Sequence, residues 1–395
     1  MNPLTGFDME TKQLFNIIQK QGPISRSDLL HLLTTNIGTL TRMMAPLREA
    51  RLITEVGIGV STGGRKPVLY DVDRHSYFVL GIDISRPYTR VVIVNLKMEV
   101  VAKQQFVMDQ NCTPDKTVKR IAEQFQALLQ KMNLAKSKFL GAGLGTVGPL
   151  TAPPGVIMHP KNFIAPGWSN VPIQELLEAT LELPLLVENG VNTAVLAESL
   201  FGEGRNYRNI AFLNCSGGVR MGAVSRGSLI RTINNDEDAF GHMVIDVDGE
   251  PCHCGNFGCI ECYASIFAIK RAFRSQLKMG RASAVKTPLD AITIAQICAA
   301  AEANDDLAKA VLTNAATYLG VGLANYINLF DPNLVILSGP LVRNSPLFYK
   351  TTMDVALKKL YIGEKVSIVF SNGGHFGADA ISVGAAVMLV ENLLH

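Results

Sequence analysis

Gly241–Cys262 reads GHMVIDVDGEPCHCGNFGCIEC. It holds four of the chain's seven cysteines, Cys252, Cys254, Cys259 and Cys262, with His242 and His253 beside them. Thiolates at such short spacing cannot all avoid one another. In a compact intracellular protein the usual resolution is a tetrahedral zinc, which holds together a loop too polar to pack by itself. Gly255 and Gly258 supply the tight turns that such a loop needs. The alternative is a loop of reduced, merely buried cysteines. Spacing alone does not choose the fourth ligand.

The order of these residues, Gly-His and then Cys-x-Cys-Gly-x-x-Gly-Cys-x-Glu, resembles the signature of the ROK family, which groups bacterial sugar kinases with sugar-responsive repressors. The resemblance implies an α/β fold of two actin-like lobes of the sugar-kinase kind, with the sugar between them. It implies one zinc per chain on His242, Cys252, Cys254 and Cys259, leaving His253 and Cys262 as bystanders, and a sugar pocket touching His242 and Glu261. Such a zinc is structural, because four protein ligands leave no open position for catalysis.

Working outward, 395 residues exceed one ordinary core, and two or three domains are expected. With 48% hydrophobic and 18% charged residues, the composition is that of a folded, soluble protein. No apolar run reaches the length of a membrane span, and Met1–Lys20 carries Asp8, Glu10 and Lys12 in place of a signal-peptide core, so a cytoplasmic protein is expected. The scattered Cys112, Cys215 and Cys298 fit a reducing compartment better than a disulfide framework. The net charge of +3 decides nothing about partners.

Residues 1–73 read as a winged helix-turn-helix. Leu14, Phe15, Ile17 and Ile18 recur at helical spacing before Gly22-Pro23, and Ser25 caps a second helix, Arg26–Leu33. A third helix, Ile37–Ala50, sets Ile37, Leu40, Met44 and Leu47 on its core face, with Pro46 expected to kink its latter half. Its other side carries Asn36, Thr39, Thr41 and Arg42, the small polar and basic groups that a recognition helix presents to a major groove. Strands Leu52–Val56 and Pro67–Val72 form the wing, whose glycine-rich basic tip carries Arg65 and Lys66 toward a minor groove. Arg42 and Asn36 are expected at base edges, Thr39 and Thr41 at phosphates. The alternative is a three-helix packing module with a solvated polar face, and charge does not decide between them: residues 1–73 hold eight Lys and Arg against seven Asp and Glu. The run Ser61–Pro67 leading into Gly81-Ile82-Asp83 resembles the junction of ROK repressors, which ROK kinases lack.

From Tyr77 the reading turns to β-branched runs. Strands at Tyr77–Ile84, Thr89–Leu96 and Val100–Met108 form an antiparallel meander, followed by a helix near Asp115–Met132, a strand Phe139–Gly145, a short helix Pro172–Thr180 and a strand Leu185–Val187. Together with a closing helix at 378–393 these make the small lobe, residues 74–191. The large lobe, 192–377, begins with a helix at Thr193–Phe201 and contains the zinc loop 241–262. Strands Asn209–Asn214, Gly222–Val224, Leu334–Ser338 and Lys365–Phe370 alternate in it with long helices, the pattern of an α/β sheet covered on both faces.

Sugar phosphorylation needs a carboxylate base and a glycine loop that approaches phosphate. The family's base is the Asp of a Glu-Asn-Asp-x-Asn run, and this chain has Glu188-Asn189-Gly190-Val191-Asn192. Its first phosphate loop is Asp-x-Gly-Gly-Thr, and here stands Asp83-Ile84-Ser85-Arg86-Pro87-Tyr88-Thr89, in which Pro87 offers no N–H. Gly339 stands alone, between Ser338 and Pro340, where the kinases prefer a glycine pair. The reading is a regulator without kinase chemistry: a homodimeric DNA-binding repressor of carbohydrate-related genes. It binds an inverted repeat in double-stranded DNA and senses a sugar-related effector through Asn162, Asn189, His242 and Glu261. A sugar kinase with an appended helical module is the alternative. Ala239, where the family has a Glu, together with Gly190 removes two charged acceptors from the pocket, so an unmodified hexose is not assured. Arg220 and Lys161 are candidate counter-charges for an anionic ligand, against the plainer reading of solvated surface charges.

Overall fold

A computed structural model of the chain describes residues 3–59, 66–151, 153, 155–160, 162–231, 239–361 and 367–395. It divides into two compact units, Met1–Thr193 with Ile381–His395, and Ala194–Ala380.

The first unit opens with α1 (Met9–Gln21), β1 (Ile24–Ser25), α2 (Arg26–Leu33), α3 (Ile37–Glu49), β2 (Ile53–Ile58) and β3 (Val68–Val72). Each helix starts where a side chain takes an otherwise unpaired backbone N–H: Asp8 accepts from Thr11 (2.8 Å), Ser25 and Asp28 form a reciprocal capping box, and Asn36 accepts from Thr39 (2.9 Å). Leu14, Phe15, Ile18, Leu29, Leu40, Met43, Met44 and Leu47 are buried, and the three short strands pair in the order β1-β3-β2. One expected core residue is misplaced: Ile37 is 69% exposed, and Met43 is buried instead. The first turn of α3 projects past the core, so a residue in helical register with Met44 stands in solvent. The helix continues through Pro46 to Glu49.

This helical module is fastened to the rest of its unit. Gln19 Nε2 donates to the Leu96 carbonyl (2.7 Å), and Lys97 Nζ donates to the Gly22 carbonyl (2.7 Å) and to the buried Asp71 (2.8 Å). Lys20 pairs with Glu391 of the terminal helix (2.9 Å).

The remainder of the unit is a five-stranded sheet of β4 (Phe78–Ile84), β5 (Tyr88–Asn95), β6 (Val100–Val107), β7 (Phe139–Thr146) and β8 (Leu185–Asn189), in the order β6-β5-β4-β7-β8. The meander β4–β6 is antiparallel, and β4, β7 and β8 are parallel. Side chains alternate across the sheet. Leu80, Ile82, Ala142 and Leu144 join one core with Phe125 and Leu128 of α4 (Pro114–Met132) and Ile173 and Leu177 of α5 (Ile173–Leu181). On the opposite face the terminal helix Ala380–Leu394 approaches so closely that a Cβ at Gly81 or Gly143 would collide with the carbonyls of Ser382 and Ala385.

The second unit takes over within α6 (Gly190–Phe201). Its sheet, β9 (Ile210–Cys215), β10 (Val219–Ser225), β11 (Ser228–Ile230), β12 (Leu334–Ser338) and β13 (Val369–Asn372), runs β11-β10-β9-β12-β13, with three antiparallel strands followed by parallel pairs as in the first unit. The helices are α7 (Glu261–Ala264), α8 (Ile266–Lys278), α9 (Ile294–Glu302), α10 (Asp306–Phe330), α11 (Pro340–Asn344) and α12 (Pro346–Lys358). The expectation that no apolar stretch reaches membrane length is corrected. Two helices, Asp306–Phe330 and Gly377–Leu394, are long and apolar enough, yet 61% of each apolar window is buried within the fold. Their apolarity reflects packing on several sides.

Candidate metal centre and ligand loop

The cysteine-rich loop hangs between β11 and α8 and is pinned at both ends. Ile245 N–H donates to Gly258 O (2.9 Å) and Ile260 N–H to Met243 O (3.0 Å), which sets Val244 opposite Cys259. Gly258 has φ 65°, and a Cβ there would collide with the Asp246 carbonyl, so this glycine is required. Ile260 packs so closely on α10 that a Cβ at Gly322 would overlap the tip of its side chain. Tyr263 stacks on Tyr318 of α10 (centroids 4.0 Å apart) while its hydroxyl accepts from Glu250 N–H (2.8 Å) and donates to Asp246 (3.1 Å).

Held this way, one ligand atom each from His242, Cys252, Cys254 and Cys259 lie within 4.8 Å of one another, a group that can hold a metal ion. Tetrahedral zinc, with Zn–S about 2.3 Å and Zn–N about 2.0–2.1 Å, would set two sulfurs about 3.8 Å apart and a sulfur and a nitrogen about 3.6 Å apart. Cys254 Sγ and Cys259 Sγ are separated by 3.8 Å, and Cys252 Sγ and His242 Nδ1 by 3.5 Å. The donors fit that ion. Burial opposes ionisation of Cys252, but hydrogen bonds from Cys254, His242 and Cys259 outweigh it and hold the thiol at about 7. Cys262 lies outside this group, donating to the Pro251 carbonyl (3.6 Å), and its thiol is pushed up to about 12, first by burial.

Beside the cluster sits a second arrangement. Glu261, at the start of α7, is buried, and its carboxylate accepts from Arg220 (2.6 Å), His253 Nε2 (2.7 Å) and Val219 N–H (3.0 Å). Burial works against its charge, yet these partners, Arg220 foremost, keep its carboxyl below the ordinary range. Gly218 makes room for the carboxylate, since a Cβ there would lie 2.5 Å from its oxygen. The reading of Arg220 is thereby corrected. With its side chain 12% exposed and paired to Glu261, it is neither a solvated surface charge nor an unengaged counter-charge. Strand β10 and the loop bring the two together across 41 residues, and no short-range signal in the sequence marks the pair. His253 orients Glu261, and the two form with His242 a second group whose ligand atoms lie within 4.8 Å of one another.

The other sequence-derived residues fall as follows. His242 and Glu261 belong to the second unit, and Asn162 and Asn189 to the first. Asn162 is exposed, in the left-handed region at φ 64°, and Asn189 accepts from Val191 N–H (3.1 Å) at the start of α6. Gly190 opens that helix. Residues Ser85–Tyr88 form a tight hairpin turn closed by Ser85 N–H to Tyr88 O (2.9 Å), with Ser85 Oγ donating to Asp83 (2.6 Å). Ala239 lies in a short 3-10 turn that ends at His242. Arg42 is exposed and makes a long ion pair with Glu10 (3.4 Å), and Thr41 Oγ1 donates to the Ile37 carbonyl (2.8 Å). Thr39 is half-buried and Lys66 exposed; Arg65 and Lys161 lie outside the described residues.

The profile of the ROK family matches residues 79–392, and the chain belongs to that family. Among curated proteins it is 25% identical to the xylose repressor of Bacillus subtilis over 385 residues, 97% of this chain and 95% of that protein. It is 27% identical to the DNA-binding transcriptional dual regulator NagC of Escherichia coli over 337 residues, 84% of this chain and 80% of that protein. Among solved structures, a ROK family transcriptional regulator homologous to the E. coli MLC protein superposes with a TM-score of 0.80 at 23% identity, over 98% of this chain and 96% of that one. A ROK family glucokinase from Streptomyces griseus, in complex with glucose and AMPPNP, gives a TM-score of 0.66 at 23% identity, over 79% of this chain and 98% of its own.

Proposed function

We propose that the chain is a DNA-binding transcriptional repressor of carbohydrate-related genes that senses a sugar or sugar derivative through a ROK domain without kinase chemistry. The observation that carries this reading is coverage. The glucokinase is used up almost entirely yet leaves about a fifth of this chain unmatched, whereas the xylose repressor spans nearly all of it. The family profile begins at residue 79, so the excess is the helical module before it. Three capped helices and a hairpin make a winged helix-turn-helix, with α3 as the recognition helix and β2–β3 as the wing.

The site supports the same reading. Gly190 offers no carboxylate where the family's base is expected, and the Ser85–Tyr88 turn is filled by side chains and a proline, leaving no glycine cradle for phosphate. Zinc on His242, Cys252, Cys254 and Cys259 stiffens the loop that presents Glu261, and Asn162, Asn189, His242 and Glu261 are the effector contacts. The protein acts in the cytoplasm as a homodimer, reading an inverted repeat whose half-site centres lie about 10 bp, or a multiple of that, apart. The domain limits follow: residues 1–73 read DNA, and 74–191 with 378–393 and 192–377 are the two ROK lobes.

Selection of bound fragments from random DNA tests this. An inverted repeat is expected, and Arg42→Ala should cost about 1–3 kcal/mol and relax preference at one base position, while Lys66→Ala weakens all sequences alike. Failure to enrich any repeat would reassign the module to protein interaction.

A further inference from the structure

Between Ile37 and Leu47, α3 exposes Ile37, Gly38, Thr41, Arg42 and Ala45 and buries Leu40, Met43, Met44 and Leu47. The exposed set recurs at i, i+1, i+4, i+5 and i+8, which is one side of the helix. An isolated exposed aliphatic residue is ordinary on a protein surface, and the exposure of Ile37 proves nothing by itself. Its setting is informative. Over its first turns the face carries one charge, Arg42, with Arg48 following on the last turn, and Gly38 and Ala45 leave it low enough for close approach by a flat partner.

The polar groups near Ile37 are largely spent inside the protein. Thr41 Oγ1 donates to the Ile37 carbonyl (2.8 Å), so Thr41 has no donor left and offers its methyl and the hydroxyl's acceptor lone pairs. Asn36 Oδ1 is committed to the Thr39 N–H (2.9 Å) as the helix cap, leaving its amide NH2. The N-terminal turn of α3 thus presents an isoleucine, a threonine methyl with a hydroxyl that can only accept, and an amide donor. In helix-turn-helix proteins that turn is the one that meets base edges. The apolar feature displayed by base edges in the major groove is the C5-methyl of thymine.

We propose that Ile37 is a specificity-determining residue that reads a thymine methyl in each half-site. This rests on the DNA-binding reading above, with Ile37 supplying the discrimination that hydrogen bonds from Arg42 and Asn36 do not. The test uses the full-length protein and its selected site, with each thymine replaced in turn by deoxyuridine, a change that removes the methyl and keeps every hydrogen-bonding group. Wild-type binding should weaken about fourfold per half-site at one thymine position, the worth of one buried methyl-sized group. Ile37→Ala, at an exposed position, should keep the wild-type melting temperature and bind thymine and deoxyuridine sites equally. If a repeat is selected but no deoxyuridine weakens wild-type binding, or Ile37→Ala still feels the loss, the inference falls while the DNA reading stands. If no sequence is selected, both fall.

Discussion

Removing the Glu261 carboxylate, as in Glu261→Ala, should destabilise the second unit strongly, and the structure sets the size of the effect. Glu261 and Arg220 have side chains 7% and 12% exposed and meet at 2.6 Å, so the alanine variant leaves a guanidinium largely cut off from water without the Glu261 carboxylate that faces it. The Val219 N–H and His253 Nε2 lose their acceptor as well. Breaking a buried pair from one side costs about 3–5 kcal/mol, and for a unit of this size each kcal/mol moves the transition by about 2–4 °C. The second unit should therefore melt about 6–20 °C lower. Scanning calorimetry at neutral pH in zinc-replete buffer reads this directly. The double variant Arg220→Met, Glu261→Met removes both charges and refills the space with apolar groups, and it should recover most of the loss. If Glu261→Ala melted within about 1 °C of the wild type, below what a 1 kcal/mol loss produces, the pair would not be an uncompensated burial problem. A double variant as unstable as the single one would equally refute the argument.

Purified protein should contain one zinc per chain by elemental analysis, and Cys252→Ala should lose it and lower the transition of the second unit. Zinc that stayed bound would shift the ligand set toward Cys262 or His253. No sugar in a panel should be phosphorylated from ATP. Gly190→Asp should remain inactive, a Cβ at 190 requiring Ile381 at 3.3 Å to give slightly; coupled ADP release reads both proteins. Glu198 is buried, which raises its carboxyl above 4.5 despite hydrogen bonds from Phe376, His375 and Glu203 N–H. The folded state then keeps a proton that the unfolded chain has released, so its contribution to stability falls as pH rises from about 4.5 through the raised value and is level above it. Glu198→Gln should flatten that slope in melting temperatures measured across the window.

The elements most legible in the sequence were those with local causes. Ser25 and Asn36 announce their helices because a cap bonds within three residues, and β4 to β6 announce themselves by β-branched runs between turns. The cysteine loop was legible as a metal candidate for the same reason, since four thiols crowd one short stretch, but the choice of His242, Cys252, Cys254 and Cys259 came from the family resemblance and not from spacing. What escaped was decided across long separations. Periodicity put Ile37 with Leu40 and Met44, but whether a first turn reaches the core depends on where α1 and α2 end up. Arg220 looked like a surface charge because its partner is 41 residues away on another element. Glu198 gave no warning, because the N–H groups it receives belong to His375 and Phe376, just after the Gly373-Gly374 turn and far along the chain.

The hydrogen bonds from Gln19 to Leu96 and from Lys97 to Gly22 and Asp71, with the Lys20–Glu391 pair, change what kind of instrument the helical module is. A DNA-binding head on a slack tether searches many orientations and tolerates half-sites at several spacings. A head bolted to the sheet of its own unit behaves as the tip of a pointer: it goes where that sheet goes, and a small tilt at the base becomes a larger displacement at α3. On the proposed DNA-binding function, operator spacing is then a measurement of the protein's skeleton. Inserting residues at Asp73–Tyr77 would not lengthen its reach, because these contacts and not the connecting residues fix where the tip stands.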